Sequence, residues 1–162
     1  MPVKPGWEGR FYEDFEVGDV YKHPLGRTIT EADNIWFTLL TMNTQPLHFD
    51  QEYAKKTQFG RNLINSSLTL AITTGQSVID LTQNAVANLG WDEVRLPNPL
   101  FVSDTLYAES EVLSKRESKS HLEAGIVTVK TRGYNQKGET VIEFKRTFMV
   151  YKRGRSPSFQ SL

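Results

Sequence analysis

The sequence predicts an α+β fold in which one antiparallel sheet curves around a long central helix. A helical pattern of apolar and small residues covers about 62–87. Three later stretches, 106–116, 125–134 and 139–151, instead alternate apolar and polar residues with a period of two. The 162 residues suffice for one domain with a substantial core, and no internal repeat is visible. A helix followed by long antiparallel strands is typical of a single α+β domain.

The first 29 residues contain an arm and two short extended segments. Residues 1–15 are rich in proline, glycine and aromatic side chains, which predicts an arm lying over the domain. Residues 18–29 predict a short extended pair that turns near 24–26. The domain itself is expected to cover 16–152, and the polar residues 153–162 are expected to form a loose tail.

A first helix is predicted to begin after Thr30. Thr30 is a good N-cap, and Glu31 and Asp33 place acids in the first turn, where the helix dipole favours negative charge. Apolar residues follow at helical spacing: Ala32, Ile35, Trp36, Leu39 and Leu40.

The most informative segment lies where this helix ends. Asn43 and His48 are five residues apart, a spacing that cannot place both on one face of a helix. Pro46 between them breaks the helix, so the chain can fold back and point both side chains into one pocket. Histidine is the side chain best suited to moving protons near neutral pH, whereas an amide only orients or hydrogen-bonds. Asp50 is then expected to cap a short helix, and 59–61 to form a turn.

The later segments carry the central helix and the sheet. Hydroxylic and small side chains are frequent in 62–87, so this helix can approach a sheet closely, and packing must hold it in place. After 97–99 the period-two pattern begins, and Asn135–Gly138 predicts a hairpin connection.

Composition and charge exclude several functions. The 19 basic and 19 acidic side chains cancel, so nothing indicates a nucleic-acid partner or an anionic membrane. The absence of cysteine excludes disulfides, thiolate metal sites and cysteine nucleophiles, and is compatible with the cytoplasm. No apolar run has the length of a membrane span, and no signal peptide is recognisable. No cluster of His, Asp and Glu has metal-ligand spacing, so no metal site is expected.

Several blocks of the sequence resemble one known family. The blocks are Met42-Asn43-Thr44-Gln45-Pro46-Leu47-His48 with the following 49–54, the turn at 59–61, and 99–106. They resemble the MaoC-like dehydratases, or R-specific enoyl-CoA hydratases, which have the hot-dog fold. The resemblance covers roughly 28–151. Within that family, the sequence is similar to the mesaconyl-CoA hydratase-like branch.

The resemblance implies a homodimer or higher homo-oligomer that hydrates an enoyl-CoA, or dehydrates a 3-hydroxyacyl-CoA, with the CoA thioester as substrate and no cofactor. His48 matches the family's catalytic histidine, and Asn43 falls where the family has a catalytic aspartate. The family's Ala-His-Gly segment, whose glycine N–H holds the thioester oxygen, becomes Ile64-Asn65-Ser66 here. Substrate contacts are expected from Ser66, Asn65, Thr74, Gln45 and Arg61.

Plainer interpretations of the same residues stay open. Asn43 is also a suitable helix C-cap, Asn65 and Ser66 are suitable capping residues, and Thr74 is suited to ordinary packing. His23 and His121 are expected on the surface. Two other functions also fit the fold: an acyl-CoA thioesterase, and a non-catalytic thioester-binding or interaction subunit. A carboxylate on the acyl chain would require a cation in the pocket, for which Arg61 and Arg95 are candidates.

Overall fold

Six strands form one antiparallel sheet in a computed structural model that describes residues 2, 4 and 6–157. The strand order is β1-β4-β5-β6-β3, and β2 pairs separately with β4. The strands are β1 (Val20–Lys22), β2 (Arg27–Thr28), β3 (Ala85–Arg95), β4 (Thr105–Glu117), β5 (Ala124–Tyr134) and β6 (Thr140–Tyr151).

Three α-helices accompany the sheet: α1 (Glu31–Leu40), α2 (Gln51–Ala54) and α3 (Ser66–Gln76). Two 3₁₀ turns (Tyr12–Asp14 and Pro46–His48) and a π-helical turn (Val78–Thr82) complete the elements. The predicted caps are confirmed. Thr30 and Asp33 form a capping box at α1, and Asp50 accepts from the Tyr53 N–H at the start of α2.

Helix α3 packs against β4 and β5, which is the helix-on-sheet arrangement of the hot-dog fold predicted above. Two apolar clusters fill the space between the sheet and the other elements. One lies near the N-terminal arm and contains Tyr12, Phe15, Leu81, Val112, Val127, Val129, Phe148 and Val150. The other lies near the start of α3 and contains Ile29, Ile64, Leu68, Leu100, Leu106, Val141, Ile142 and Phe144.

The predicted central helix is too long at both ends. The chain is helical only from Ser66 to Gln76, passes through the π-helical turn, and enters strand β3 at Ala85. The interpretation of 83–87 as helix was therefore wrong, and β3 was missed. Shifts in the pairing of β3 with β6 occur at three places along the strand, and each extra residue interrupts the period-two alternation by which a strand is recognised.

Two other expectations are corrected by pairing and burial. The extended segments within 18–29 do not pair with each other, because β1 and β2 both pair with β4. Helix α1 forms as predicted, but its buried residues are Asn34 and Thr38. Trp36 and Leu40 are 68% and 74% exposed, so the apolar face that identified the helix points to solvent.

The N-terminal arm is tied to the sheet by aromatic side chains. Phe15 and Tyr12 are buried, and Tyr12 lies so close to β5 that a Cβ at Gly125 would clash with its ring. The predicted C-terminal tail is described only for 153–157, and 158–162 lie outside the described residues. Within the described part of the chain, every helix is too short or too polar to cross a membrane.

Candidate active site

The site begins at a strained helix end. Helix α1 closes with a Schellman motif, in which the Asn43 N–H donates to Thr38 O at 3.0 Å and the Met42 N–H to Leu39 O at 3.0 Å. Met42 has a φ of 57°, a left-handed conformation that a non-glycine residue adopts at a cost of about 1–2 kcal/mol. This turn sets the direction in which the chain leaves α1 and enters the Asn43–His48 segment.

The Asn43 side chain stabilises a turn in that segment. Its side-chain Oδ1 accepts a hydrogen bond from the Gln45 N–H at 3.0 Å, so the amide closes an Asx turn in front of Pro46. Asn43 is half-buried and Gln45 is exposed. The Asn43 Nδ2 has no acceptor among the residues described, and it is the part of this side chain that can contact a substrate or water.

His48 is held in one tautomer. Its Nδ1 lies 2.9 Å from Leu63 O. A carbonyl oxygen only accepts, so in the neutral ring Nδ1 carries the hydrogen and Nε2 presents a lone pair. The half-buried imidazole is thus arranged to take a proton at Nε2.

A buried amide that sequence reasoning missed supports His48. Asn34 is 1% exposed, and its Nδ2 donates to His48 O at 2.8 Å and to Leu63 O at 3.1 Å. Its Oδ1 accepts from the Asn65 N–H at 2.9 Å. One side chain therefore joins the histidine turn, the Leu63 segment and the start of α3. Nothing in the local pattern of α1 distinguished it from a surface asparagine.

The start of α3 supplies backbone donors. Asn65 is the N-cap: its Oδ1 accepts from the Ser67 N–H, and its Nδ2 donates to Thr38 Oγ1. Because both ends of this buried amide are bonded inside the protein, the side chain acts as a helix cap. The Ser66 N–H has no acceptor among the residues described, and the positive end of the helix dipole favours an anionic group there.

A cavity of about 270 Å³ opens beside Ser66. His48 does not line it, but the imidazole is bonded to the wall residue Leu63. The cavity walls come from the end of the 59–64 segment, the first turn of α3, the 96–100 loop and β6. The lining residues are Phe59, Leu63, Ile64, Ser66, Thr69, Leu96, Pro97, Asn98, Pro99, Leu100 and Val141.

Arg61 lies outside that cavity. It lines a second cavity of about 320 Å³, together with Lys55 and Glu31. Its guanidinium carbon lies 3.9 Å from the centre of the Phe101 ring, a cation–π contact, and the side chain is exposed.

Thr74 is also separated from the other predicted residues. It follows Ser66 by eight residues on the same helix, which is a rise of about 12 Å. Its Oγ1 accepts from Trp91 Nε1 on β3 at 3.3 Å. The structure thus joins His48 to the start of α3 through Asn34 and Leu63, while Asn43 lies on the segment that carries His48 and bonds within it. The residues that line the cavity beside Ser66 include neither Thr74 nor Arg61.

The expectation that His23 lies on the surface was wrong. His23 is 6% exposed, with Nδ1 at 2.8 Å from Asp80 Oδ2 and Nε2 at 2.9 Å from Ser110 Oγ. Its backbone N–H pairs with Ala108 O on β4, which turns the ring inward. Burial lowers the pKa of His23 below its usual value, although Asp80 acts in the opposite direction. His121 is exposed, as predicted.

The Asp80–His23–Ser110 order is that of a hydrolase triad, but its burial excludes that role in this fold. Ser110 is 1% exposed, and its Oγ shares a hydrogen bond with Thr131 Oγ1 at 2.8 Å. The network joins the π-helical turn to β4 and β5 and satisfies their buried polar groups. In the described residues, no group of three or more His, Asp or Glu side chains could hold a metal ion.

Comparison with known proteins defines the family. The model of the MaoC-like domain matches residues 14–135, so the chain belongs to the MaoC-like domain family. Mesaconyl-CoA hydratase of Cereibacter sphaeroides is 36% identical over 145 residues, which cover 90% of this chain and 42% of that protein.

Solved structures agree with this assignment. A MaoC domain protein from Chloroflexus aurantiacus superposes with a TM-score of 0.87 at 34% identity, covering 99% of this chain and 46% of that one. A MaoC-like dehydratase from Rhodospirillum rubrum gives a TM-score of 0.77 at 31% identity, covering 89% of this chain and 98% of that one. The chain thus spans less than half of the Cereibacter hydratase but nearly all of the Rhodospirillum dehydratase.

Proposed function

We propose that this chain hydrates an enoyl-CoA, or dehydrates the corresponding 3-hydroxyacyl-CoA, with His48 as the base. The observation that carries the proposal is the bond from His48 Nδ1–H to Leu63 O, which leaves the Nε2 lone pair for a water. The hydratase and dehydratase relatives support this reaction class. The substrate brings its own CoA, and the proposed reaction uses no metal or further cofactor.

The chemistry follows from these groups. His48 Nε2 takes a proton from water, and the water oxygen bonds to the β-carbon of the enoyl thioester. The electron pair of the double bond moves toward the thioester oxygen, where the Ser66 N–H at the start of α3 would stabilise the enolate. The imidazolium then returns its proton to the α-carbon, so one water is added across the double bond and His48 is regenerated.

Asn43 has a different part in this proposal from the aspartate it replaces. An amide cannot accept a proton from water, so it does not serve as a second base. With Oδ1 bonded to the Gln45 N–H, Asn43 has its Nδ2 group left to orient water or the thioester. We assign it a positioning role beside His48.

We also infer that the chain forms a homodimer through β3. This strand is at the edge of the sheet, runs over eleven residues, and exposes Leu89 and Trp91. A long edge with apolar side chains needs a partner strand, and a second copy supplies one by two-fold symmetry. A cytoplasmic location stays a prediction from the sequence.

The test is a hydration assay that follows the absorbance of the conjugated enoyl thioester. His48→Ala should lower turnover by about 100- to 10,000-fold, the usual contribution of a general base. His121→Ala, at an exposed histidine away from the site, should not change turnover, and circular dichroism should show both variants folded. Full turnover in His48→Ala would contradict the assignment.

The variant Asn43→Asp distinguishes the hydratase from the other candidate functions. In an active enzyme it should be tolerated, with a changed pH profile because a second titrating group is added. An inert native protein that becomes a hydratase with Asn43→Asp would instead indicate a decayed site. If neither hydrates any enoyl-CoA, release of free thiol from an acyl-CoA would identify a thioesterase, and binding without release would identify a thioester-binding subunit.

A further inference from the structure

Among the residues that the structure describes, those lining the cavity beside Ser66 include no charged side chain. Its eleven lining residues are aliphatic, aromatic, proline, or the neutral polar residues Ser66, Thr69 and Asn98. Two of these polar groups are already bonded within the protein: Thr69 Oγ1 to Asn65 O, and Asn98 Nδ2 to Thr140 O. The eight residues outside the described part of the chain contain no lysine or arginine.

The two arginines considered as receptors for a substrate carboxylate are directed elsewhere. Arg61 lies over Phe101 and lines the second cavity. Arg95 is exposed near the end of β3, where its Nη1 donates to Val94 O and its backbone pairs with Glu143. Neither is among the residues that line the cavity beside Ser66.

The size and chemistry of this cavity restrict what can enter it. Its volume of about 270 Å³ lies just below the range of about 300–1,000 Å³ for small-molecule pockets, so it can hold a short acyl arm but not the CoA nucleotide. A carboxylate moved from water into an apolar wall without a cation is strongly disfavoured. A methyl group in the same place is favoured, because apolar surface leaves water.

We propose that the acyl arm of the substrate is short and uncharged and enters the cavity beside Ser66. This inference rests on the proposed hydratase function and names its substrate class. It separates this chain from the Cereibacter relative, whose named substrate, mesaconyl-CoA, bears a carboxylate on the acyl chain.

A matched pair of thioesters tests the proposal. Tiglyl-CoA and the C1 thioester mesaconyl-CoA share a branched enoyl skeleton and differ in having a terminal methyl or a terminal carboxylate. The expected kcat/KM for tiglyl-CoA is at least about 100-fold higher. Equal or faster turnover of mesaconyl-CoA would overturn the inference while leaving the hydratase function intact. Failure to hydrate any enoyl-CoA in a broader panel would overturn the proposed function and this inference with it.

Variants at the cavity rim make the test independent of the native rates. Leu96 lines the cavity and is 47% exposed, so a long side chain there can be accommodated. Leu96→Arg should raise the mesaconyl-CoA to tiglyl-CoA ratio of kcat/KM by about 10-fold over Leu96→Gln, which has a polar but uncharged side chain. An equal ratio in both variants would place the acyl arm elsewhere. A mesaconyl-CoA activity that is lost in Arg61→Gln would also overturn the proposal, because it would make Arg61 the carboxylate receptor.

Discussion

Replacing Asn34 by alanine should strongly destabilise the protein. The side chain is 1% exposed and makes three hydrogen bonds, to His48 O, Leu63 O and the Asn65 N–H. Alanine removes all three, which leaves His48 O and the Asn65 N–H without these partners, whereas Leu63 O keeps its bond to His48 Nδ1. A buried group left unsatisfied costs about 1–3 kcal/mol, and the two groups are partly coupled, so we expect a loss of about 2–4 kcal/mol.

The measurement is urea unfolding with linear extrapolation to water. Asn62→Ala is the matched control, because Asn62 is a half-buried asparagine nearby that makes one such bond, from Nδ2 to Leu47 O at 3.0 Å. We expect it to lose only about 1 kcal/mol. Asn34→Asp adds a second comparison, since a carboxylate can still accept from the Asn65 N–H but cannot donate to the two carbonyls.

A loss below about 1 kcal/mol for Asn34→Ala would refute the reasoning, because three bonds from a fully buried amide cannot be that weak unless water replaces them. The folded fraction of Asn34→Ala should also show reduced hydration, since Asn34 holds the turn that carries His48.

Three further predictions follow from particular residues. Burial lowers the pKa of His23, so its contribution to stability is complete above its unfolded pKa of about 6.5 and is lost as pH falls below that value. In urea titrations, His23→Gln should reduce the dependence of the free energy of unfolding on pH over this range, and His121→Gln should not. Met42→Gly should stabilise the protein by about 1 kcal/mol in thermal or urea unfolding, because glycine adopts the left-handed conformation without strain, and a loss of stability would contradict the Schellman assignment. Light scattering should give twice the chain mass of 18.5 kDa, and Leu89→Lys with Trp91→Lys should shift the protein toward monomer; a monomeric native protein at micromolar concentration would refute the dimer.

Much of the fold could be predicted from local patterns in the sequence. The period-two stretches became β4, β5 and β6, and Thr30 and Asp50 became helix caps, because these features depend on residues a few positions apart. The family was accessible too, since its motif around His48 is a contiguous run of residues and the MaoC-like domain match covers it.

Other features depended on partners distant in the chain. Strand β3 follows the edge of β6 through bulges, so its own sequence lacks the alternation that marks a strand. Helix α1 buries Asn34 and Thr38 because the Leu63 and Asn65 segments supply their bonding partners, while Trp36 faces solvent.

For the candidate site, the sequence by itself determined which side chain can move a proton and which segment carries it. Only the tertiary structure decided that His48 presents Nε2, because the carbonyl that orients Nδ1 belongs to Leu63, fifteen residues away. It also decided that Arg61 and Thr74 lie away from the cavity that Ser66 lines. The physical reason is that hydrogen-bond partners and cavity walls are set by packing between distant segments, whereas residue type and spacing are properties of the chain alone.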